Sequence, residues 1–373
     1  MISNPAGGHI GGKTAVKGTS VCVGFPLWKR PHVKPFLHSI SDSAIYADGS
    51  EAAVKRAKAC NGRIITWASS EKEDLAPLAQ AEGIDVIRME DGFLRSVGLG
   101  SDFHLPYSLV LDKRGVYYDP SRPSDLEYIL ETGRFERQLL DRARRLRHQI
   151  ISKDITKYNI GVTDADNFDL PSDKKIILVP GQVENDASVL RCLSEVNTDL
   201  KLLDAVRKAN PKAFIIYKPH PDVLAGNRPG GASDEAALEL CDMIAGNFSL
   251  AALARVDEVH TISSLMGFEA LLRGKEVHTY GGPFYAGWGV TSDCLKFPRR
   301  TRKVTIDELT AAALILYPTY YDWETKRFCR PEAVLDRLTK YRMQSGSRGF
   351  SGLPVMRLAR LFFAPYLKRW RQK

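Results

Sequence analysis

The sequence predicts an α/β fold of two Rossmann-like lobes with an active-site cleft between them, and three observations carry that expectation. At 373 residues the chain is longer than one hydrophobic core usually covers. Apolar runs of strand length alternate with helix-length segments in both halves, the order that builds parallel sheets. Three of those runs, Ile176 to Val179, Phe214 to Tyr217 and Val259 to Ile262, lead directly into loops dense in polar residues. In a parallel sheet such loops lie at the carboxyl edge, where ligands bind.

The Gly-rich residues 1–20 read as a flexible leader, with no apolar stretch of the kind a secretory signal needs. Residues 21–160 read as the first lobe. Its strands are Val21 to Phe25, Arg63 to Trp67 and Asp85 to Met89, followed by a hairpin of Ser108 to Asp112 with Val116 to Tyr118. The hairpin turn is Lys113-Arg114-Gly115, with the glycine supplying an unusual backbone angle. Helix then runs from an N-cap at Ser124 to about Tyr158. Residues 161–174 read as a linker, because Thr163 to Asp173 holds four aspartates, an Asn and a Pro.

Residues 175–300 read as the second lobe. Beyond the three strands already named it has helices at Asp199 to Ala209 and Leu265 to Arg273, the latter closed by Gly274 as a C-cap, and a strand Val277 to Tyr280. Residues 301–345 read as helices packing across the lobes, opened by the capping box Thr305-Ile306-Asp307-Glu308 and stopped before Pro318. Residues 346–373 read as a basic amphipathic tail. No repeat of solenoid period is present.

Composition narrows the class. Apolar residues make up 44% and charged residues 26%, the balance of a soluble globular protein able to bury two cores. The six cysteines show no CxxC spacing and no neighbouring His pair, so they read as reduced thiols rather than a disulfide framework or a zinc site. The net charge of +9 is concentrated: Tyr341 to Lys373 carries Arg342, Arg348, Arg357, Arg360, Lys368, Arg369, Arg371 and Lys373 with no acid, leaving the rest nearly neutral. Nucleic-acid binding is therefore disfavoured, and no recognition motif for it appears. Leu361, Phe362, Phe363, Tyr366 and Trp370 among those basic residues suit a helix lying on an anionic membrane. The expected location is cytoplasmic and peripheral on the inner membrane.

The loops supply candidate chemistry. Glu90-Asp91-Gly92 ends a strand, so its two carboxylates project to opposite sides and at most one faces the cleft as a proton acceptor, unless the three residues merely form a turn. Arg95, with Ser96 beside it, has the fork that holds a substrate carboxylate. In Lys218-Pro219-His220-Pro221 two prolines restrict the backbone and aim the imidazole, which could stabilise a departing phosphate alongside Lys218. Ser263 and Ser264 open a helix whose N–H groups attract anions, a role compatible with simple capping. Glu269 lies further along that helix, either against ribose hydroxyls or in solvent.

Together these motifs carry a resemblance. MEDGFLRSVGLGSDFHLPYSLVLDKRGVYYDP (Met89 to Pro120), VPGQVENDAS (Val179 to Ser188), YKPHPDV (Tyr217 to Val223) and ISSLMGFEALLRGKEVHTYGGPFYAGWG (Ile262 to Gly289) resemble the KpsC family of capsule β-Kdo transferases, over about Val21 to Lys340. That family joins two such modules in one longer chain; one is read here. The resemblance implies the GT-B architecture, with the acceptor on residues 21–160 and the CMP-sugar on 175–300. It implies retaining transfer of Kdo from CMP-β-Kdo to a lipid-linked saccharide. By position it implies Glu90 or Asp91 as the acid/base group, His220 on the CMP phosphate, and Ser263 and Ser264 as further donor ligands. Asp186, in the segment Gln182-Val183-Glu184-Asn185-Asp186, is the candidate nucleophile of a double displacement, with Glu184 and Asn185 as rivals and Gln182 beside them. Such a mechanism places a carboxylate below an oxocarbenium-like centre while phosphate leaves above. No cofactor or metal is expected, since CMP brings a single phosphate and the only DxD, Asp164-Ala165-Asp166, falls in the linker. Capsule assembly proteins are further expected partners. Two alternatives stay open: a transferase of another CMP-activated sugar acid of the sialic type, and a non-catalytic subunit of a capsule assembly or export complex.

Overall fold

The computed structural model describes residues 18–98, 104–157, 159, 169–224, 226, 231–246, 248 and 252–346. Residues 1–17 of the expected leader, nearly all of the expected tail and most of the expected linker lie outside them, and Thr19 and Ser20, read as the end of the leader, belong to the first strand. Five strands come first: β1 (Thr19–Val23), β2 (Ser43–Tyr46), β3 (Arg63–Trp67), β4 (Val86–Asp91) and β5 (Ser108–Asp112). Six more follow: β6 (Ile176–Pro180), β7 (Phe214–Lys218), β8 (Met243–Ile244), β9 (Glu258–Thr261), β10 (Glu276–Thr279) and β11 (Ser292–Asp293). The chain then returns as β12 (Pro318–Asp322) and β13 (Arg327–Cys329).

Two sheets result, a mixed α/β architecture. The first has the order β13-β12-β5-β4-β3-β1-β2, and the second β11-β10-β9-β6-β7-β8. The second is parallel throughout, and in the first the segment β2-β1-β3-β4 is parallel. Buried Val, Ile and Leu on both faces of β6 explain the run that marked it: all five of its residues are buried, as a central strand covered by helices requires.

Three expectations are corrected. Val116 to Tyr118 is not a strand, because β5 already pairs on one side with β4 and on the other with β12, leaving no edge for a hairpin partner. The turn after β5 is held instead by Asp112, whose Oδ1 accepts the N–H groups of Arg114 (2.9 Å) and Gly115 (2.8 Å). Gly115 is there for room, since a Cβ would collide with the Pro123 carbonyl. The long helix splits into Asp125–Thr132, capped by Ser124 as expected, and Arg137–Ser152, with the break at Gly133. Residues 301–345 are not purely helical. Ile306 to Leu316 is helical behind its capping box, but Pro318 opens β12, at the first strand position where a missing N–H costs least. Helix Pro331–Gly346 follows β13.

The sequence suggested two separate cores; the main core is instead continuous. Phe93 and Val110 beside the first sheet join Phe268, Phe284, Tyr285 and Trp288, which join Ile176, Leu178 and Val259 of the second. Phe93 and Phe284 pack with their rings tilted by 31° and 4.5 Å between centroids. Charged pairs clamp the same seam: Glu127 takes both Arg299 (2.7 Å) and Arg300 (3.0 Å), and Asp307 takes Arg144 (3.0 Å) and Arg147 (3.2 Å). Arg300 and Glu127 are both buried, so losing Glu127 would strip Arg300 of its ion-pair partner, a cost of about 3–5 kcal/mol, whereas loss of Arg300 leaves Glu127 paired with Arg299. Among the described residues no helix is long and apolar enough to cross a membrane.

Candidate functional site

The second sheet winds outward from β6 through β7 to β8, then crosses back to the other side of β6 and winds out through β9, β10 and β11. The reversal falls between β6 and β9, where diverging loops leave a crevice at the carboxyl ends. Gln182, just beyond β6, and Ser263, just beyond β9, meet there. Gln182 Oε1 accepts the Ser263 N–H at 2.8 Å, and its Nε2 donates to Ser263 Oγ at 3.0 Å. Ser263 Oγ itself donates to the Ser188 carbonyl at 3.1 Å, and Ser264 caps helix Leu265–Leu272 by accepting the Met266 N–H at 3.2 Å. The two serine hydroxyls are thus engaged in building the crevice, and the anion-attracting element they bring to it is the helix N-terminus.

Beneath Gln182 sits a buried carboxylate that sequence reasoning took only for a helix start. Asp199 accepts the Gln182 N–H at 2.9 Å on one oxygen and the Tyr217 hydroxyl at 2.6 Å on the other, and burial pushes its pKa up to about 6. Gly181 makes this possible, since a Cβ would stand 2.7 Å from Asp199 Oδ2. Glu184 Oε1 accepts the Asp199 N–H at 3.3 Å, which ties Glu184 to the loop. Asp186 caps the short helix Ala187–Leu190, its Oδ2 accepting the Ser188 hydroxyl at 2.9 Å.

β7 delivers Lys218 and His220. His220 Nδ1 accepts the Asp222 N–H at 3.1 Å, so the ring proton resides on Nε2, the tautomer that donates to a phosphate oxygen. Lys218 is buried, and burial lowers its pKa against the opposing pull of Glu269. Glu269 is not a solvated surface acid. Burial raises its pKa, its Oε1 accepts the Lys157 N–H at 3.1 Å, and Arg273, Lys218 and Lys157 surround it.

From the first sheet, Glu90 and Asp91 are the last two residues of β4 and point to opposite sides. Glu90 accepts the N–H groups of Ser69 (3.2 Å) and Asp91 (3.1 Å), with the Tyr118 hydroxyl at 3.4 Å. Asp91 Oδ2 lies 2.8 Å from Arg95 Nε, while Oδ1 is buried with no hydrogen-bond partner among the described residues. Their environments push them apart. Burial raises Glu90, against Lys29. For Asp91 burial acts upward too, but Arg95, Lys29 and Lys157 together outweigh it and hold the carboxyl below its ordinary value. Arg95 was expected to grip a substrate carboxylate. Its guanidinium is instead buried against Asp91, with Nη1 on Ser96 Oγ at 2.9 Å, because the tight turn at Gly92, which packs against Ser108, folds it back onto β4.

Three groups escaped the sequence reading. Lys29 lies 3.2 Å from the centroid of the Trp67 ring, and burial lowers its pKa against Asp91 and Glu90. Lys157 couples to Glu90, Asp91 and Glu269 together. Tyr118 reaches Glu90 while sensing the charge of Asp186, so it spans the loops of both sheets. Ala187 packs on that same segment, and Arg191 pairs with Asp119 at 3.3 Å. A Trp-Lys-Arg cluster after the first strand was the available signal for Lys29; Lys157 had none.

The arrangement offers one carboxylate held ionised, one biased toward its protonated form, a donating imidazole and a crevice of N–H groups. The comparisons agree in kind. The family model described as capsule polysaccharide biosynthesis protein matches residues 63–320. Capsule polysaccharide modification protein LipA of Neisseria meningitidis serogroup B is 43% identical over 90% of this chain and 47% of its own length. Lipopolysaccharide-processing protein LpsZ of Rhizobium meliloti is 45% identical over 69% of this chain and 59% of its own. The chain thus spans about half the length of the curated relatives it matches. Among solved structures, the Thermosulfurimonas dismutans KpsC β-Kdo 2,7 transferase is similar at a TM-score of 0.71 and 35% identity, covering 87% of this chain and 99% of that one. The β-Kdo 2,4 transferase of the same organism's KpsC is similar at 0.73 and 33%, covering 86% and 98%. On the match to residues 63–320 and these relatives, the chain belongs to the capsule polysaccharide biosynthesis protein family.

Proposed function

We propose that the chain is a retaining glycosyltransferase that moves Kdo from CMP-β-Kdo to a lipid-linked saccharide, on a GT-B arrangement with the active site between the two sheets. The observation that carries the reading is the crevice between β6 and β9, where Gln182 and Ser263 lock together beside His220. In this reading the cytidine phosphate lies at the N-terminus of helix Leu265–Leu272, and His220 Nε2–H donates to the oxygen whose charge grows as CMP departs. Asp186 attacks the anomeric carbon to form a glycosyl ester, and the acceptor hydroxyl, on losing its proton, displaces it. Two inversions give net retention.

The separation of the two β4 carboxylates supports one assignment of the proton transfer. Asp91 stays ionised at neutral pH, and its Oδ1 has hydrogen-bonding capacity to spare, so it is the base that takes the acceptor's proton. Glu90, raised and already accepting two backbone N–H groups, holds the strand end and Tyr118 in place. Lys29 and Lys218 supply cations for the sugar carboxylates of acceptor and donor. The KpsC modules named as β-Kdo transferases support Kdo as the sugar.

Incubation with CMP-Kdo and a synthetic lipid-linked Kdo primer, with NMR of the product, tests the reading. A β-linked Kdo is the expected product. No transfer from CMP-Kdo, with transfer from CMP-sialic acid in its place, would overturn the donor assignment, and inversion at the anomeric carbon would overturn the double displacement.

A further inference from the structure

We propose that Glu258, His260 and His278 form a binding site for a borderline divalent transition metal, zinc foremost, away from the crevice. β9 and β10 pair in parallel with His260 opposite His278 and Glu258 opposite Glu276. The two imidazoles therefore stack, 4.2 Å between centroids and 13° from coplanar, and present their Nε2 atoms to the same carboxylate oxygen. Glu258 Oε2 lies 3.0 Å from His260 Nε2 and 3.7 Å from His278 Nε2. One ligand atom from each of the three residues falls within 4.8 Å of the others.

Those spacings suit a tetrahedral ion once the partly exposed His278 ring turns out of the stack, since an imidazole binds along the in-plane lone pair of its nitrogen and two parallel rings do not aim at one point. Ligands at about 2.0–2.1 Å from zinc stand about 3.3 Å from one another, between the two distances observed. The surroundings also have the form of a metal site. Tyr280 Oη lies 3.2 Å from His260 Nδ1, where it can accept a hydrogen bond from Nδ1–H and so favour the tautomer that leaves Nε2 bare for the ion. Lys175 occupies the other oxygen of Glu258, Oε1, at 2.5 Å, so Oε2 is left to face the imidazoles. His260 and Glu258 are buried and His278 is partly exposed, which gives the ion an entrance on one side. Glu276, 3.1 Å from His278 Nε2 and mostly exposed, is the group that swings away on binding or completes the shell. Two imidazoles and one carboxylate select zinc, nickel or copper over magnesium or calcium.

Glu258 opens β9, and His260 and His278 each stand third of four in β9 and β10 with the strand alternation sending their side chains to a face of the sheet, whereas the crevice loops leave the carboxyl ends of these strands. An ion here would pin β9 to β10 beneath the Ser263 loop without touching the reaction.

The test uses untagged protein stripped with a chelator. Zinc titrated against a chromophoric indicator should bind at one equivalent, raise the melting temperature, and resist displacement by magnesium. Cobalt in its place should give the intense visible bands of tetrahedral coordination. His278→Ala, at a partly exposed position, should weaken uptake about tenfold or more, since loss of even an outer partner of a metal ligand costs that much, and Glu258→Gln should do the same. Absence of uptake, a weak octahedral cobalt spectrum, or one-equivalent binding that persists undiminished in both variants would overturn the site.

Discussion

Arg95→Gln separates a substrate contact from a group that acts through Asp91. In the structure Arg95 Nε stands 2.8 Å from Asp91 Oδ2, and the aspartate side chain is 18% exposed. A hydrogen bond to a charged group contributes about 1.5–3 kcal/mol, and one pKa unit corresponds to about 1.4 kcal/mol. Removing the guanidinium takes away the strongest of the attractions that hold the carboxyl down, and should therefore raise the Asp91 pKa. The sign follows from the depressed native value: the active, ionised form exists above that pKa and is lost as pH falls through it. The acid limb of kcat/KM should move to higher pH, with KM for the donor nearly unchanged at pH values above the limb. Full removal of a buried partner can cost about 3–5 kcal/mol of stability, so a melting curve must accompany the kinetics. Arg95→Lys, which keeps the charge, should restore most of the limb's position. A rise in donor or acceptor KM with an unmoved acid limb would refute the positioning role and return Arg95 to the substrate.

Four further outcomes follow. Asp186→Ala should abolish transfer while CMP affinity, read by calorimetry, stays within a few-fold of wild type; full activity would remove it as nucleophile, and a trapped Kdo adduct on Glu184 would shift the role. His220→Ala should weaken CMP binding about tenfold to a hundredfold, the loss of one charge-assisted contact, and unchanged affinity would take the imidazole off the phosphate. Asp199, at about 6 when folded against about 4 unfolded, binds its extra proton in the native state, so its contribution to stability is present below pH 4 and lost as pH rises through 6. Asp199→Asn should flatten that part of the urea-unfolding profile, and an unaltered slope would contradict the shift. Deleting Leu353 to Lys373 should release the protein from anionic vesicles yet spare turnover on a soluble primer, with wild-type binding falling as salt rises; a truncated protein that stays bound would refute the membrane role.

Much of the fold was legible because its signals are local. The apolar runs of β3, β5, β6 and β7, the Ser124 cap, the Thr305 to Glu308 box and the helix from Asp199 to Ala209 each depend on residues within a few positions of one another. The misreadings depend on distance. Whether Val116 to Tyr118 pairs with β5 is decided by β12, about two hundred residues away, which takes the edge first. β12 itself was hidden behind Pro318, whose letter says only that a helix ends, not that a strand begins.

The site divides along the same line. Motif spacing placed Glu90, Asp91, His220 and Ser263 at the carboxyl ends of strands, since that follows from where the apolar runs stop. What each group does with a proton was not legible. Glu90 and Asp91 are neighbours of nearly identical chemistry, and the alternation of a strand sends one toward the Ser69 amide and the other toward Arg95. The difference is set by Arg95, which pairs with Asp91 and not with Glu90, while the two lysines that draw both carboxyls down, Lys29 and Lys157, come from the short turn Leu27–Lys29 after β1 and from beyond the helix Arg137–Ser152. Sequence distance conceals them, and only the folded sheet assembles them around one strand end. In the proposed reading, a base that must be ionised and a neighbour that need not be come from two adjacent acids because the Arg95 guanidinium pairs with only one of them, which is why Asp91 rather than Glu90 is the residue whose replacement by its amide should stop transfer.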